Sequence, residues 1–207
     1  MKICITGKPC SGKSTAIEYI KKAGYNTFIA DEYVHSIYKV NKPGYNAIKK
    51  AFGSKYITNK EVNRKALGSL VFKDKKALTK LNKIMNPLIA KAIKNLDDKK
   101  LWFIELATYI FYPADFANLF DQVLLVFTNK DWKQEYQSKK FNYLKKIPTF
   151  FVDNFKKSKS SIFNIDNKIS SAPSINVDIF VDNSANKNIL KNNILKICKS
   201  LNQHNIK

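Results

Sequence analysis

The chain has 207 residues, 44% of them hydrophobic and 13% aromatic, enough apolar material for a sizeable core, which excludes wholesale disorder. Lys+Arg 37 against Asp+Glu 16 gives a net charge of +21, pointing to an anionic partner: nucleic acid, a membrane surface or phosphorylated small molecules. A single arginine, Arg64, among those basic residues, beside 22 asparagines, disfavours sequence-specific DNA binding, which leans on the planar guanidinium; A/T-rich codon drift is a competing source of the charge.

Lys2–Ile5 is a short β-rich run that ends in a glycine-bearing loop. Ser14–Ala23 then carries apolar residues at helical intervals, with Gly24 as its stop. Residues 26–30 (NTFIA) read as a second strand that delivers Asp31 at its C-terminal end. Strand, loop, helix and strand in this order predict a βαβ unit and a parallel sheet. Residues 32–100 follow as a long, mostly helical insertion. Leu101–Leu106 and Gln122–Phe127 are near-continuous apolar runs, as buried parallel strands require. Residues 139–175 are Lys-, Ser- and Asn-rich with weak periodicity, which suits a lid or a disordered loop. Ile179–Val181 is a fifth strand candidate and Asn188–Leu201 a closing amphipathic helix. The expected fold is therefore α/β, a mostly parallel five-stranded sheet flanked by helices.

Cys4, Cys10 and Cys198 show no metal-ligand spacing, and His35 and His204 complete no zinc pattern with them. Reduced thiols are the expectation. No signal-peptide stretch opens the chain, and Leu101–Phe127 is interrupted by Glu105, Pro113, Asp115 and Asp121, so a soluble, cytoplasmic protein with no membrane partner is expected.

The segment from Gly7 to Ser14 (GKPCSGKS) fits G-x-x-x-x-G-K-[ST], with Thr15 after it. In such a loop the backbone amides turn inward around phosphates, and glycines permit the close approach. Gly7, Cys10, Ser11, Gly12, Lys13, Ser14 and Thr15 are the expected nucleotide-binding residues. Lys13 reaches the β- and γ-phosphates, facing ligand rather than core; the Ser14 hydroxyl ligates Mg²⁺, and the helix starting there turns its positive end to the anion. A strand before and a helix after supply the context this motif demands, so a nucleotide is the expected ligand. Asp31, at the carboxyl end of the next strand, is either a general base for an attacking hydroxyl or an N-cap for the following helix. Glu105 is a charge in an apolar strand, suited to a Mg²⁺-water or nucleotide role, or to a strand end meeting Lys or solvent. His35, four residues after Asp31, shares its helical face. Lys139, Lys140, Lys145 and Lys146 are either phosphate-directed or a solvated face.

Taken together, these segments resemble the dephospho-CoA kinases, P-loop enzymes of the nucleoside-monophosphate-kinase-like group. ITGKPCSGKST matches the family's loop, and FIADEYVH its hydrophobic-D-A-D-x-[IL]-x-[HR] segment. AIKKAFGSKYI, NRKALGSLVF and LNKIMNPLI follow in the family's order, as do LFDQVLLV and VDIFVDNSAN. The first Asp of D-A-D is Ile29 here, while Asp31 keeps the second. The His of the family's H-P pair is Asn86, three residues are inserted before Pro43-Gly44, and D-I-P-L-L is reduced to Glu105-Leu106-Ala107-Thr108-Tyr109. Family lid arginines align with Tyr136 and Lys140. The resemblance implies transfer of the ATP γ-phosphoryl group to the ribose 3′-hydroxyl of dephospho-CoA, giving CoA and ADP in the last step of CoA biosynthesis. It implies Asp31 and Lys13 as catalytic, with His35, Arg64, Glu105 and Lys140 toward substrate, and no specific nucleic acid as partner. It also implies a nucleotide-binding core from residues 1–31, 101–135 and 176–207, an acceptor-binding insertion at 32–100 and a lid at 136–175. Two rival classes share the loop: another small-molecule kinase, for a nucleoside or nucleotide, and a nucleic-acid-stimulated ATPase.

Overall fold

A computed structural model describes residues 1–128, 175, 177–184 and 187–205. Within them the chain forms two compact units, one built from residues 1–29, 97–128 and the described residues from 175 onward, the other from residues 30–96. The expected lid, Lys139, Lys140, Lys145 and Lys146 among it, lies outside the described residues apart from its last position.

The first unit holds five strands: β1 (Lys2–Thr6), β2 (Asn26–Ile29), β3 (Trp102–Glu105), β4 (Gln122–Phe127) and β5 (Ile179–Asp182). They pair in the order β2-β3-β1-β4-β5, all parallel. The sheet is thus the parallel one expected, and β3, which enters the chain after the helical insertion, lies between β1 and β2. Chain connections leave β1 toward one edge and β3 toward the other, so strand order reverses beside β1. Open parallel sheets bind ligands at the carboxyl end of such a reversal.

Two helices bury the sheet face that carries Ile3, Ile5, Phe103, Leu124 and Val126. Helix α1 (Lys13–Lys22) contributes Ala16, Ile17 and Ile20 to that core. The closing helix, which we number α6 (Lys187–Asn205), contributes Leu190, Ile194, Cys198 and Leu201, spaced as one stripe of a 3.6-residue repeat. Alternate strand residues Cys4, Ile104 and Leu125 face the other way and are buried as well. That double burial is why the strands read as unbroken apolar runs. Two carboxylates pin the entering ends of strands. Asp121 Oδ2 accepts from the Lys2 amide at 2.6 Å, and Asp178 Oδ2 from the Val123 amide at 2.7 Å.

The second unit is helical: α2 (Ala30–Ile37), α3 (Pro43–Phe52), α4 (Arg64–Val71) and α5 (Lys75–Lys94). Its apolar stripes bury Ile37, Ile48, Leu67, Met85, Ile89 and Ile93. Asn63 caps α4, its side chain accepting from the Ala66 amide at 3.1 Å, and Asp74 caps α5 through the Lys76 amide at 2.8 Å. Gly44 lets α3 approach α2, because a Cβ there would stand 2.8 Å from the Ile37 carbonyl oxygen. Asn86, 1% exposed, is enclosed in α5 just before Pro87. Among the described residues no helix is long and apolar enough to cross a membrane.

Candidate active site

The loop after β1 adopts a conformation few sequences tolerate. Gly7 has φ +149°, Cys10 φ +60° and Gly12 φ +101°. At Gly7 a side chain would collide with the Val126 carbonyl oxygen, and at Gly12 with the Asn183 side-chain amide. Both motif glycines are therefore required by space and by backbone. Cys10 is the unexpected member, a non-glycine residue in the left-handed region, where Cβ costs free energy. Gly12 is the N-cap of α1 and supplies no side-chain cap, and the first turn holds no acidic residue. The first-turn amides and the positive end of the helix dipole are thus left to an anion. Ser11 is buried, and its Oγ has no hydrogen-bond partner among the described residues.

Lys13 is the residue expected to face ligand rather than core. It is only 7% exposed, and its Nζ donates to the Lys8 carbonyl at 2.7 Å, bracing the loop from within. Lys8 itself is half-buried, which lowers its pKa from the ordinary lysine value.

Glu105 ends β3 in register with Ile5 and with Ile29. The Ser14 hydroxyl donates to Glu105 Oε1 at 3.0 Å. This contact with the loop's own serine is what the structure shows for the carboxylate, and both readings of Glu105 stay open beside it. A hydroxyl and a carboxylate at this spacing are hard oxygen donors, the set that suits Mg²⁺.

Asp31 follows Ile29 by two residues, but the second strand is shorter than expected. It stops at Ile29, and α2 starts at Ala30, so Asp31 is exposed in the first turn of the helix. The N-cap alternative is thereby corrected: a residue inside the helix is not its cap. In the same unit Arg64 Nη1 lies 3.0 Å from His35 Nε2 and 3.4 Å from Nδ1. The buried Tyr38 reports the same neighbourhood. Its phenol is pushed up to about 12, by burial above all, with the Arg64 charge opposing and the Asp31 charge adding. The structure thus joins Ser14 to Glu105, and His35 to Arg64, in separate units. Lys140 lies outside the described residues.

One contact had no counterpart among the expected site residues. Asn183 Nδ2 donates to the Ser11 carbonyl at 2.9 Å, although 172 positions separate the two residues. Cys4 and Cys198 are buried, and burial raises both thiols, Cys198 to about 12.

Comparison with known proteins decides the class of this site. The family model for dephospho-CoA kinase (CoaE) matches residues 1–135, which include the loop, Asp31, the helical insertion and strands β1 to β4. The chain belongs to the dephospho-CoA kinase family. The dephospho-CoA kinase of Mycoplasma genitalium is 34% identical over 181 residues, covering 83% of this chain and 88% of that one. That of Lactobacillus johnsonii is 31% identical over 157 residues, covering 72% and 78%. Among solved structures, a Thermus thermophilus protein superposes with a TM-score of 0.64 at 17% identity, covering 97% of each chain. A Campylobacter jejuni dephospho-CoA kinase does so at 0.59 and 22% identity, covering 99% of this chain and all of that one. At those identities the superpositions establish the fold. This kinase is accordingly a phosphotransferase that uses ATP as co-substrate, built on a P-loop core.

Proposed function

We propose that this kinase transfers the γ-phosphoryl group of ATP to the ribose 3′-hydroxyl of dephospho-CoA, releasing CoA and ADP in the cytoplasm. The observation that carries the reading is the family match over residues 1–135, together with a phosphate loop whose Ser14 is hydrogen-bonded to the β3 carboxylate.

Phosphoryl transfer asks a protein mainly for positioning and charge neutralisation. The amides of Gly7–Thr15 cradle the phosphates. Lys13 exchanges its bond to the Lys8 carbonyl for the β- and γ-phosphate oxygens, so its charge is already aimed along the loop before nucleotide arrives. Ser14 and Glu105 would hold Mg²⁺, which when bound neutralises charge on the β- and γ-phosphates. Asp31 accepts the proton of the attacking hydroxyl. Residues 32–100 hold the acceptor, with His35 and the only arginine, Arg64, turned to its diphosphate. Their contact at 3.0 Å supports that assignment, since it orients a guanidinium beside an imidazole on an exposed surface. By the family's arrangement residues 136–175 act as the lid, with Lys140 directed at phosphate. No specific nucleic acid is required, because the charge is carried almost wholly by lysine.

The test is to supply Mg-ATP with dephospho-CoA, with a panel of nucleosides and nucleotides, and with DNA or RNA. Consumption of dephospho-CoA with stoichiometric ADP is the expected result. Phosphorylation of a nucleoside or nucleotide alone, or hydrolysis stimulated only by nucleic acid, would replace this reading with one of its rivals. For the metal site, Glu105→Gln should raise the Mg²⁺ concentration giving half-maximal rate by about tenfold or more, the scale on which losing even a supporting group of a metal site acts. An unchanged Mg²⁺ dependence would remove Glu105 from that site.

A further inference from the structure

The contact between Asn183 and the phosphate loop has a consequence that follows from the planarity of the peptide bond. Ser11 C=O and Gly12 N–H belong to one peptide unit and, in a trans peptide, point in opposite directions. Whatever holds the Ser11 carbonyl therefore aims the Gly12 amide. Asn183 Nδ2 holds it at 2.9 Å. The same amide group fills the space beside Gly12 where a Cβ would be, so glycine at 12 and asparagine at 183 are complementary in shape.

Asn183 is itself fixed independently of its side chain. Its backbone amide donates to the Phe127 carbonyl at 2.7 Å, extending the pairing of β5 with β4 by one residue. The chain then turns, with the Ser184 amide donating to Asp182 Oδ1 at 2.7 Å. The side chain thus projects from the end of a paired strand, a rigid base from which to set a loop that contains three residues of positive φ. Loops that bind anions through inward amides need their outward carbonyls satisfied in this way, or the peptide planes rotate.

We propose that Asn183 is a positioning residue for nucleotide binding: its side-chain amide locks the Ser11–Gly12 peptide so that the Gly12 N–H is presented to the phosphates of ATP. The proposal rests on the reading of Gly7–Ser14 as the ATP loop, and it deepens that reading by assigning a loop determinant to the far edge of the sheet.

The experiment uses the full chain with Asn183→Ala, which deletes the amide, and Asn183→Asp, which keeps its shape but replaces the donor with an acceptor. Mg-ATP affinity is measured by direct titration, the KM values for ATP and for dephospho-CoA by initial rates, and thermal midpoints with and without ATP. Loss of one such hydrogen bond predicts a fall in ATP affinity of about five- to tenfold for Asn183→Ala. A larger fall is expected for Asn183→Asp, whose carboxylate would face both a carbonyl and the incoming phosphates. The KM for ATP should rise in parallel while that for dephospho-CoA changes less than about twofold. The ligand-free midpoint should stay close to wild type, because the backbone bond to Phe127 survives either change, and the extra stabilisation given by ATP should shrink. A purely structural Asn183 would lower the ligand-free midpoint and leave the two KM values in proportion, and that pattern would overturn the proposal. Wild type that phosphorylates dephospho-CoA beside two variants that bind ATP normally would overturn it while leaving the kinase reading intact. Wild type that binds no ATP would overturn both.

Discussion

Replacing Lys13 by alanine is expected to lower kcat by about 10²–10³-fold, the usual worth of one preorganised charge aimed at the developing negative charge of a transition state. The residue does two things that the substitution removes together. In the ligand-free loop its ammonium braces the Lys8 carbonyl at 2.7 Å, and in the proposed mechanism the same group moves onto the β- and γ-phosphate oxygens. Lys13→Ala should therefore also cost stability, on the order of 1–2 kcal/mol, from a lost charge-assisted hydrogen bond and buried methylenes. That cost is partial, because Lys8 is itself only half-buried and water can take over its carbonyl. A thermal melt, an ATP titration and a turnover assay on the same preparation separate the two effects. A folded Lys13→Ala protein with near-wild-type turnover would remove the loop from the chemistry.

Asp31→Asn is expected to reduce transfer to dephospho-CoA by about 10²–10⁴-fold, the range for loss of a positioned general base. Its position inside the first turn of α2, not at the cap, sharpens the prediction. No capping hydrogen bond is at stake, so the fold should lose only the favourable interaction of a carboxylate with the helix N-terminus, about 0.3–1 kcal/mol. ATP affinity should be nearly unchanged, since in the proposed mechanism the loop, Lys13 and magnesium supply it. Asp31→Ala should behave alike in turnover and stability, which a capping role would not allow. Normal turnover in Asp31→Asn would leave positioning and electrostatics to carry the reaction without this carboxylate.

These two predictions concern residues that local pattern singles out, and the pattern explains why. The loop motif constrains every backbone torsion over eight residues, so its glycines, lysine and serine leave a spacing that no other fold element needs. The apolar runs 101–106 and 122–127 are legible as buried strands because both sheet faces are covered, which removes the usual alternation. The stripe Leu190, Ile194, Cys198 and Leu201 is legible because a single face of α6 is buried. Even the two helix caps, Asn63 and Asp74, sit where short polar residues precede apolar periodicity.

Carboxylates show where such legibility stops. Asp121 and Asp178 each stand just before an apolar strand, and Glu105 ends one. Asp121 and Asp178 hold the amides of neighbouring strands at the entering ends of the sheet, whereas Glu105 leaves at the opposite end and meets Ser14. Nothing in their local sequences separates a structural carboxylate from one at the loop, because the difference is which strand lies alongside. Asp31 presents the converse case. Its neighbourhood in sequence allowed a cap or a base, and a difference of one residue in where β2 stops decided against the cap.

By itself the sequence determined the α/β class, the phosphate loop and the family segments, since each depends on residues within a few positions of one another. Tertiary structure alone decided the strand order, with β3 between β2 and β1, and therefore that Glu105 ends in register with Ile5 beside Ser14. It alone turned Lys13 onto Lys8 and brought Asn183 across 172 positions to the Ser11 carbonyl. The physical reason is that hydrogen bonds act over about 3 Å, and which groups come that close is set by strand pairing and core packing over the whole sheet, information that no local window of the chain contains.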